Sequence, residues 1–188
     1  MPVISVTLME GYEESVRERI AHQMTCAVGA VLEAPAEVIT VTIQEVAAAN
    51  YRRGDQRRQP AAAPPDALAL VGEFLKLMEA RDLEGARAML AGDFEMVFPG
   101  NARFKKIEEL VEWAKKRYHW VRKRYETFDL APQLNGSVVY CFGVLDGEDL
   151  KGRPFADVRF IDRFTVRKGL LQNQQVWNDL AASGVIGG

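Results

Sequence analysis

The sequence predicts an α+β protein, an amino-terminal β-α-β unit followed by an α+β cone of helices packed on a curved, mostly antiparallel sheet. Three observations carry that prediction. Apolar alternation brackets a helical stripe in the first 46 residues, a Pro/Ala-rich break follows near residue 60, and beyond it helical periods come first and long alternating strands afterwards. The predicted domains are 1–58 and 66–188, joined by a linker over 59–65.

In the first unit, residues 2–8 place Ile4, Val6 and Leu8 on one face and Val3, Ser5 and Thr7 on the other, the period of a half-buried strand. After Glu10-Gly11, Val16, Ile20, Met24, Ala27, Val28 and Val31 recur at three- and four-residue steps, and Pro35 ends that helix. Residues 38–46 alternate again through Ile39, Val41 and Ile43, and the intervening helix is long enough to make the two strands parallel. Two strands and one helix bury little core, so self-association, a homo-oligomer, is expected.

Beyond the linker, Asp66 is placed to cap a helix carrying Leu68, Val71, Leu75 and Met78, and a second helix carries Ala86, Met89 and Leu90. A strand over 94–98 ends at Pro99-Gly100, and a helix is predicted over 106–117. From there to Trp177 long strands are expected, broken by hairpin signals at Asn135-Gly136, Asp146-Gly147 and Lys168-Gly169.

Composition narrows the function. A net charge of −2 gives no general attraction to polyanions. No apolar run approaches the roughly 18 to 20 residues of a membrane span, and the start lacks a basic signal region, so a soluble cytoplasmic protein is expected. Cys26 and Cys141 show no paired spacing, and no metal or nucleotide motif occurs, so neither a metal nor a cofactor is expected.

The pattern Pro2-Val3-Ile4-Ser5-Val6-Thr7-Leu8-Met9-Glu10-Gly11, then Pro35, Val41-Thr42-Ile43-Gln44-Glu45, Asn50-Tyr51 and Gly54, resembles the 4-oxalocrotonate tautomerase family over residues 2–55. The resemblance implies that removal of Met1 exposes the secondary amine of Pro2 as the catalytic group. Desolvation disfavours the charged form of such an amine, leaving a base that could move a proton between enol and ketone, or form an iminium with an aldehyde. A proline that merely begins an edge strand is the alternative. Where founding members carry substrate-binding arginines, this chain has Tyr12 and Thr40, which argues against a dicarboxylate substrate. Tyr51 falls where the family has an aromatic shielding the proline. Arg52 and Arg53 follow, placed either to supply positive charge to an enolate or carboxylate or to be solvated beside the linker.

The order of elements after the linker, with the ending Phe160-Ile161-Asp162-Arg163-Phe164-Thr165-Val166-Arg167-Lys168-Gly169-Leu170-Leu171, resembles the nuclear-transport-factor-two-like superfamily, which includes SnoaL-like polyketide cyclases. That superfamily implies the cone fold and leaves the reaction open. On the strand 155–167, Ala156, Val158, Phe160, Phe164 and Val166 form an apolar face that also holds Asp162. A carboxylate there is expected to be desolvated, which suits a general acid or base, or else a core polar group satisfied by a neighbour. His119, at the expected helix end between Tyr118 and Trp120, is a second candidate for substrate contact or proton transfer.

Between Arg103 and Arg124 nine Lys or Arg face three Glu, with Trp113, Tyr118 and Trp120 among them. Such a run resembles a nucleic-acid surface. Residues 66–188 balance 18 acidic against 18 basic residues, so a solvated helix face without nucleic acid is expected, with Lys115, Lys116 and Arg117 opposite the apolar stripe. The combined expectation is a tautomerase that acts on a small carbonyl or enol, with a second domain that binds or converts a small hydrophobic molecule. The competing class is a non-catalytic tautomerase scaffold that assembles ligand-binding cones.

Overall fold

The structure, a computed structural model, describes residues 1–186 and divides into two compact units, Met1–Ala63 and Pro64–Gly188. In the first, β1 (Val3–Met9) and β2 (Thr40–Val46) pair in parallel from Val3↔Thr40 to Met9↔Val46, with α1 (Glu14–Leu32) as the crossover. Glu33 takes a left-handed conformation (φ 51°) at the end of α1, two residues before Pro35, and a short 3-10 turn (Ala36–Val38) leads into β2. Among the described residues of this unit no side chain is buried. The helix stripe is incomplete as a buried face, since Met24 is 37% and Val31 80% exposed.

Residues 52–57 form a small hairpin, β3 (Arg52–Arg53) and β4 (Gln56–Arg57), turning at Gly54 with φ +59°. Gly54 is the local signal for that turn, masked by the charge of its neighbours.

The second unit starts with α2 (Ala67–Ala80), capped by Asp66, whose carboxylate accepts from the Ala69 amide at 3.2 Å. Arg81 closes α2 with φ +62°, and Asp82 caps α3 (Leu83–Ala88) by accepting from the Gly85 amide at 2.9 Å. The second helix ends sooner than its spacing predicts. Leu90 belongs to β5 (Leu90–Phe98), because the Leu171 amide donates to the Met89 carbonyl at 3.0 Å and parallel pairing across Leu171↔Leu90 captures the chain. Sheet pairing here outweighs helical propensity. A short β6 (Ala102–Phe104) folds back on β5, and α4 (Ile107–Ala114) follows, three residues shorter at its end than expected.

Four long strands complete the cone: β7 (Tyr118–Gln133), β8 (Gly136–Asp149), β9 (Pro154–Arg167) and β10 (Leu170–Asn178). The sheet order is β6-β5-β10-β9-β8-β7, antiparallel except between β5 and β10. Lys168 and Gly169 turn with φ +51° and +74°, the double left-handed geometry that Lys-Gly predicts. At the first hairpin the turn occupies Leu134 and Asn135, one residue ahead of Asn135-Gly136.

The third hairpin signal fails. Asp146-Gly147 lies inside β8, and the chain turns at 150–153, where buried Asp149 accepts from the amides of Lys151 (2.8 Å) and Arg153 (2.9 Å) and from Arg153 Nε (2.7 Å). Gly147 serves close approach instead: a Cβ there would lie 2.5 Å from Phe155 Cζ and against the Trp120 carbonyl. The main core joins α2, α4 and the inner sheet face. Phe74 sits at its centre, edge-on to Phe94 and Phe164 at centroid distances of 6.4 and 5.8 Å.

Candidate functional site

In the first unit, Pro2 precedes β1, and its carbonyl accepts from the Thr40 amide at 3.0 Å, so Pro2 and Thr40 stand side by side where the two parallel strands begin. Tyr12 lies beyond the other end of β1. Its carbonyl accepts from Arg17 Nη1 at 2.5 Å, and the same guanidinium reaches Glu45 Oε1 at 3.3 Å near the end of β2. A seven-residue strand is roughly 20 Å long, so one chain keeps Tyr12 apart from Pro2. Tyr51 is half-buried after a 3-10 turn (Ala48–Asn50), and Arg52 is exposed on β3.

In the second unit a cavity of about 180 Å³ opens between α2, α4 and the inner face of β7. Phe74, Phe98, Tyr118 and Tyr125 give it aromatic walls, Lys123 and Gln174 line it, and the exposed Glu79, Arg81 and Arg122 complete its boundary. Burial pushes the phenols of Tyr118 and Tyr125 up, with the Asp162 carboxylate adding to the effect on Tyr125, so both stay protonated donors at neutral pH.

Asp162 is fully buried on the inner face of β9. Its Oδ2 accepts from the Lys123 ammonium and from Gln174 Nε2 at 3.4 Å, while Oδ1 is buried without a hydrogen-bond partner among the described residues. It does not line the cavity. Lys123 and Gln174, both bonded to its Oδ2, line the cavity instead. The apolar face of β9 is shorter than the alternation implies: Ala156 is exposed, because Asp157 adopts φ +58° and the pairing with β8 shifts between Leu145 and Gly147.

His119 is not at a helix end. It lies on β7 at an irregularity between Tyr118 and Trp120, half exposed, with Nδ1 2.8 Å from Glu148 Oε1 and away from the cavity lining. The basic run divides among separate elements and carboxylates: Arg103 pairs with Glu95 at 2.8 Å, Lys115 with Glu112 at 2.6 Å and Arg124 with Asp146 at 2.5 Å. Arg117 is not opposite the apolar stripe. Its guanidinium lies 4.2 Å from the Trp113 ring centroid, and burial lowers its pKa.

Lys123 is the site residue that sequence reasoning passed over. Val121, Lys123 and Tyr125 alternate on the inner side of β7, a legible signal, but the surrounding Arg and Lys made the segment read as one solvated run. Among the described residues no group of three or more His, Cys, Asp or Glu is placed to hold a metal ion, and no helix is long and apolar enough to cross a membrane.

No family model matches the chain. A protein of Ralstonia nicotianae described as a probable tautomerase is 38% identical over 65 residues, which are 35% of this chain and 93% of that protein. Among solved structures, TerC co-crystallised with polyporic acid superimposes with a TM-score of 0.54 at 20% identity, covering 63% of this chain and 95% of its own. An NTF2-like protein of unknown function from Burkholderia pseudomallei gives a TM-score of 0.54 at 17% identity, covering 64% and 96%. Another NTF2-like protein, from Burkholderia thailandensis, gives 0.52 at 15%, covering 63% and 95%. These likenesses establish the fold of the cone.

Proposed function

The amino-terminal segment of this chain belongs to the tautomerase family, and from that membership we propose that Pro2, released by removal of Met1, is a general base for keto-enol tautomerisation of a small carbonyl or enol compound. The observation that carries this reading is the near-complete coverage of the tautomerase relative, combined with a proline held at the start of β1 by the Thr40 amide. The amine would accept a proton from the enol oxygen or the carbon beside the carbonyl and return it to the other atom. With Tyr12 and Thr40 at the positions of the family's arginines, and the Arg17 guanidinium on the Tyr12 carbonyl engaged with Glu45, a monoanionic or neutral substrate fits better than a dicarboxylate.

The unit acts as a homo-oligomer in this reading. Its lack of a buried side chain, and the exposure of Val3 (62%) and Val31 (80%), favour apolar contacts between copies. The cone binds a small aromatic or hydrophobic molecule, a role supported by its cavity and by the TerC structure with polyporic acid. Pairing of the basic residues with carboxylates on separate elements favours a reading without nucleic acid as a partner.

Replacement of the family's arginines by Tyr12 and Thr40 favours a second reading, in which the unit is an assembly scaffold without chemistry. Ketonisation of α-keto-acid enols by the wild-type protein and by Pro2→Ala separates the two. The catalytic reading expects turnover that falls about a hundredfold in the variant; absence of turnover by wild-type protein verified to begin at Pro2 favours the scaffold.

A further inference from the structure

A small-ligand site in the cone leaves the ligand's chemistry unassigned, and the polar groups on the wall narrow it. Lys123 is only one-quarter exposed, and its ammonium carries three N–H bonds. One is directed to Asp162 Oδ2. The ring of Phe160 lies beneath the same nitrogen, 4.7 Å from its centroid. Gln174 Nε2 also reaches Oδ2, so the buried carboxylate is fixed behind the ammonium and holds it against the cavity.

The charge balance points the same way. Of the charged residues lining the cavity, Lys123 is paired with Asp162, Arg122 lies 3.8 Å from Glu79, and the exposed Arg81 leaves the balance positive by one. Lys123 is the one of these that is largely shielded from solvent, so its field acts on a ligand more strongly than that of the exposed arginines. The protonated phenols of Tyr118 and Tyr125 add donors rather than competing negative charge.

We infer that the cone takes a flat, aromatic ligand bearing an anionic oxygen (a carboxylate, phenolate or enolate), with that oxygen on the Lys123 ammonium and Asp162 acting as a positioning residue. The inference rests on the cone being a small-molecule site. The ligand presents its rings to the aromatic walls and its oxygen to Lys123 and a tyrosine hydroxyl. Asp162 does not touch the ligand, and its carboxylate keeps Lys123 from swinging out to solvent.

The test uses the full chain and two isosteric probes, 2-naphthoate and the neutral 2-naphthamide, titrated calorimetrically at neutral pH. Wild-type protein is expected to bind naphthoate about tenfold more tightly than naphthamide. Lys123→Met abolishes that preference and leaves naphthamide binding in place, which also reports that the cone is folded. Because Lys123→Met leaves the buried Asp162 carboxylate without its counter-charge, the double variant K123M/D162N is measured beside it, with the same loss expected; Lys123→Arg retains the preference. Equal binding of the two probes by wild-type protein, or a preference that survives Lys123→Met, overturns the inference while leaving the small-ligand reading intact. Binding of neither probe overturns both.

Discussion

Lys123 on β7 reaches across β8 to pair with Asp162 on β9, and it is the lysine, not the buried carboxylate, that lines the cavity. Gly143 on β8 lies in the same crossing. It pairs with Tyr125 on one side and Phe160 on the other, and those rings meet edge-on at 5.6 Å. A Cβ at Gly143 would lie 3.1 Å from Phe160 Cε1 and collide with the Arg124 carbonyl. Gly143→Ala is therefore expected to destabilise the cone by about 3 kcal/mol, read as a lowered urea midpoint with unchanged slope. An unchanged midpoint would show that β7 and β8 can separate at no cost.

The two cysteines differ in environment. Cys141 is fully buried, and burial, with Asp162 adding to it, pushes its thiol up to about 12, whereas Cys26 is exposed on α1. Native protein at mildly alkaline pH is expected to react rapidly with a disulfide reagent at Cys26 alone, and denatured protein at both. Rapid labelling of Cys141 in the native state would contradict the burial of the inner β8 face.

Asp149 organises the turn between β8 and β9, and the hydrogen bonds it accepts from the Arg153 and Lys151 backbone and the Arg153 guanidinium hold its pKa below the ordinary 3.8. A depressed folded pKa contributes stability that is present above the unfolded value and lost as pH falls through the folded one. Asp149→Asn should lower the melting temperature at pH 7 and reduce the acid sensitivity seen below about pH 4. An identical pH profile in the variant would remove Asp149 from the acid transition.

Assembly is the most sensitive test of the first unit's exposed apolar surface. Deleting residues 1–58 should reduce the subunit number measured by light scattering. An unchanged subunit number would place the main contact on the cone.

Periodicity made the β-α-β order, the long strands and the inward placement of Asp162 legible, because one buried face forces strict alternation. It did not show where alternation breaks. The bulge at Asp157, the capture of Leu90 by β10 and the close approach at Gly147 all depend on pairing partners distant in the chain. Lys123 was hidden for a related reason. A cation in a basic run looks solvated until the carboxylate facing it from another strand is known.

The proposed role of Pro2 requires a free secondary amine, and the direct measurement compares two preparations of one chain that differ only in Met1. Intact-mass spectrometry fixes the terminus of each, and loss of enol absorbance from an α-keto-acid enol gives the rate. Processed protein beginning at Pro2 is expected to ketonise the enol, and protein retaining Met1 to be inactive, since the prolyl nitrogen is then an amide without a basic lone pair. Equal rates in the two preparations, or no turnover by the processed one, would contradict it.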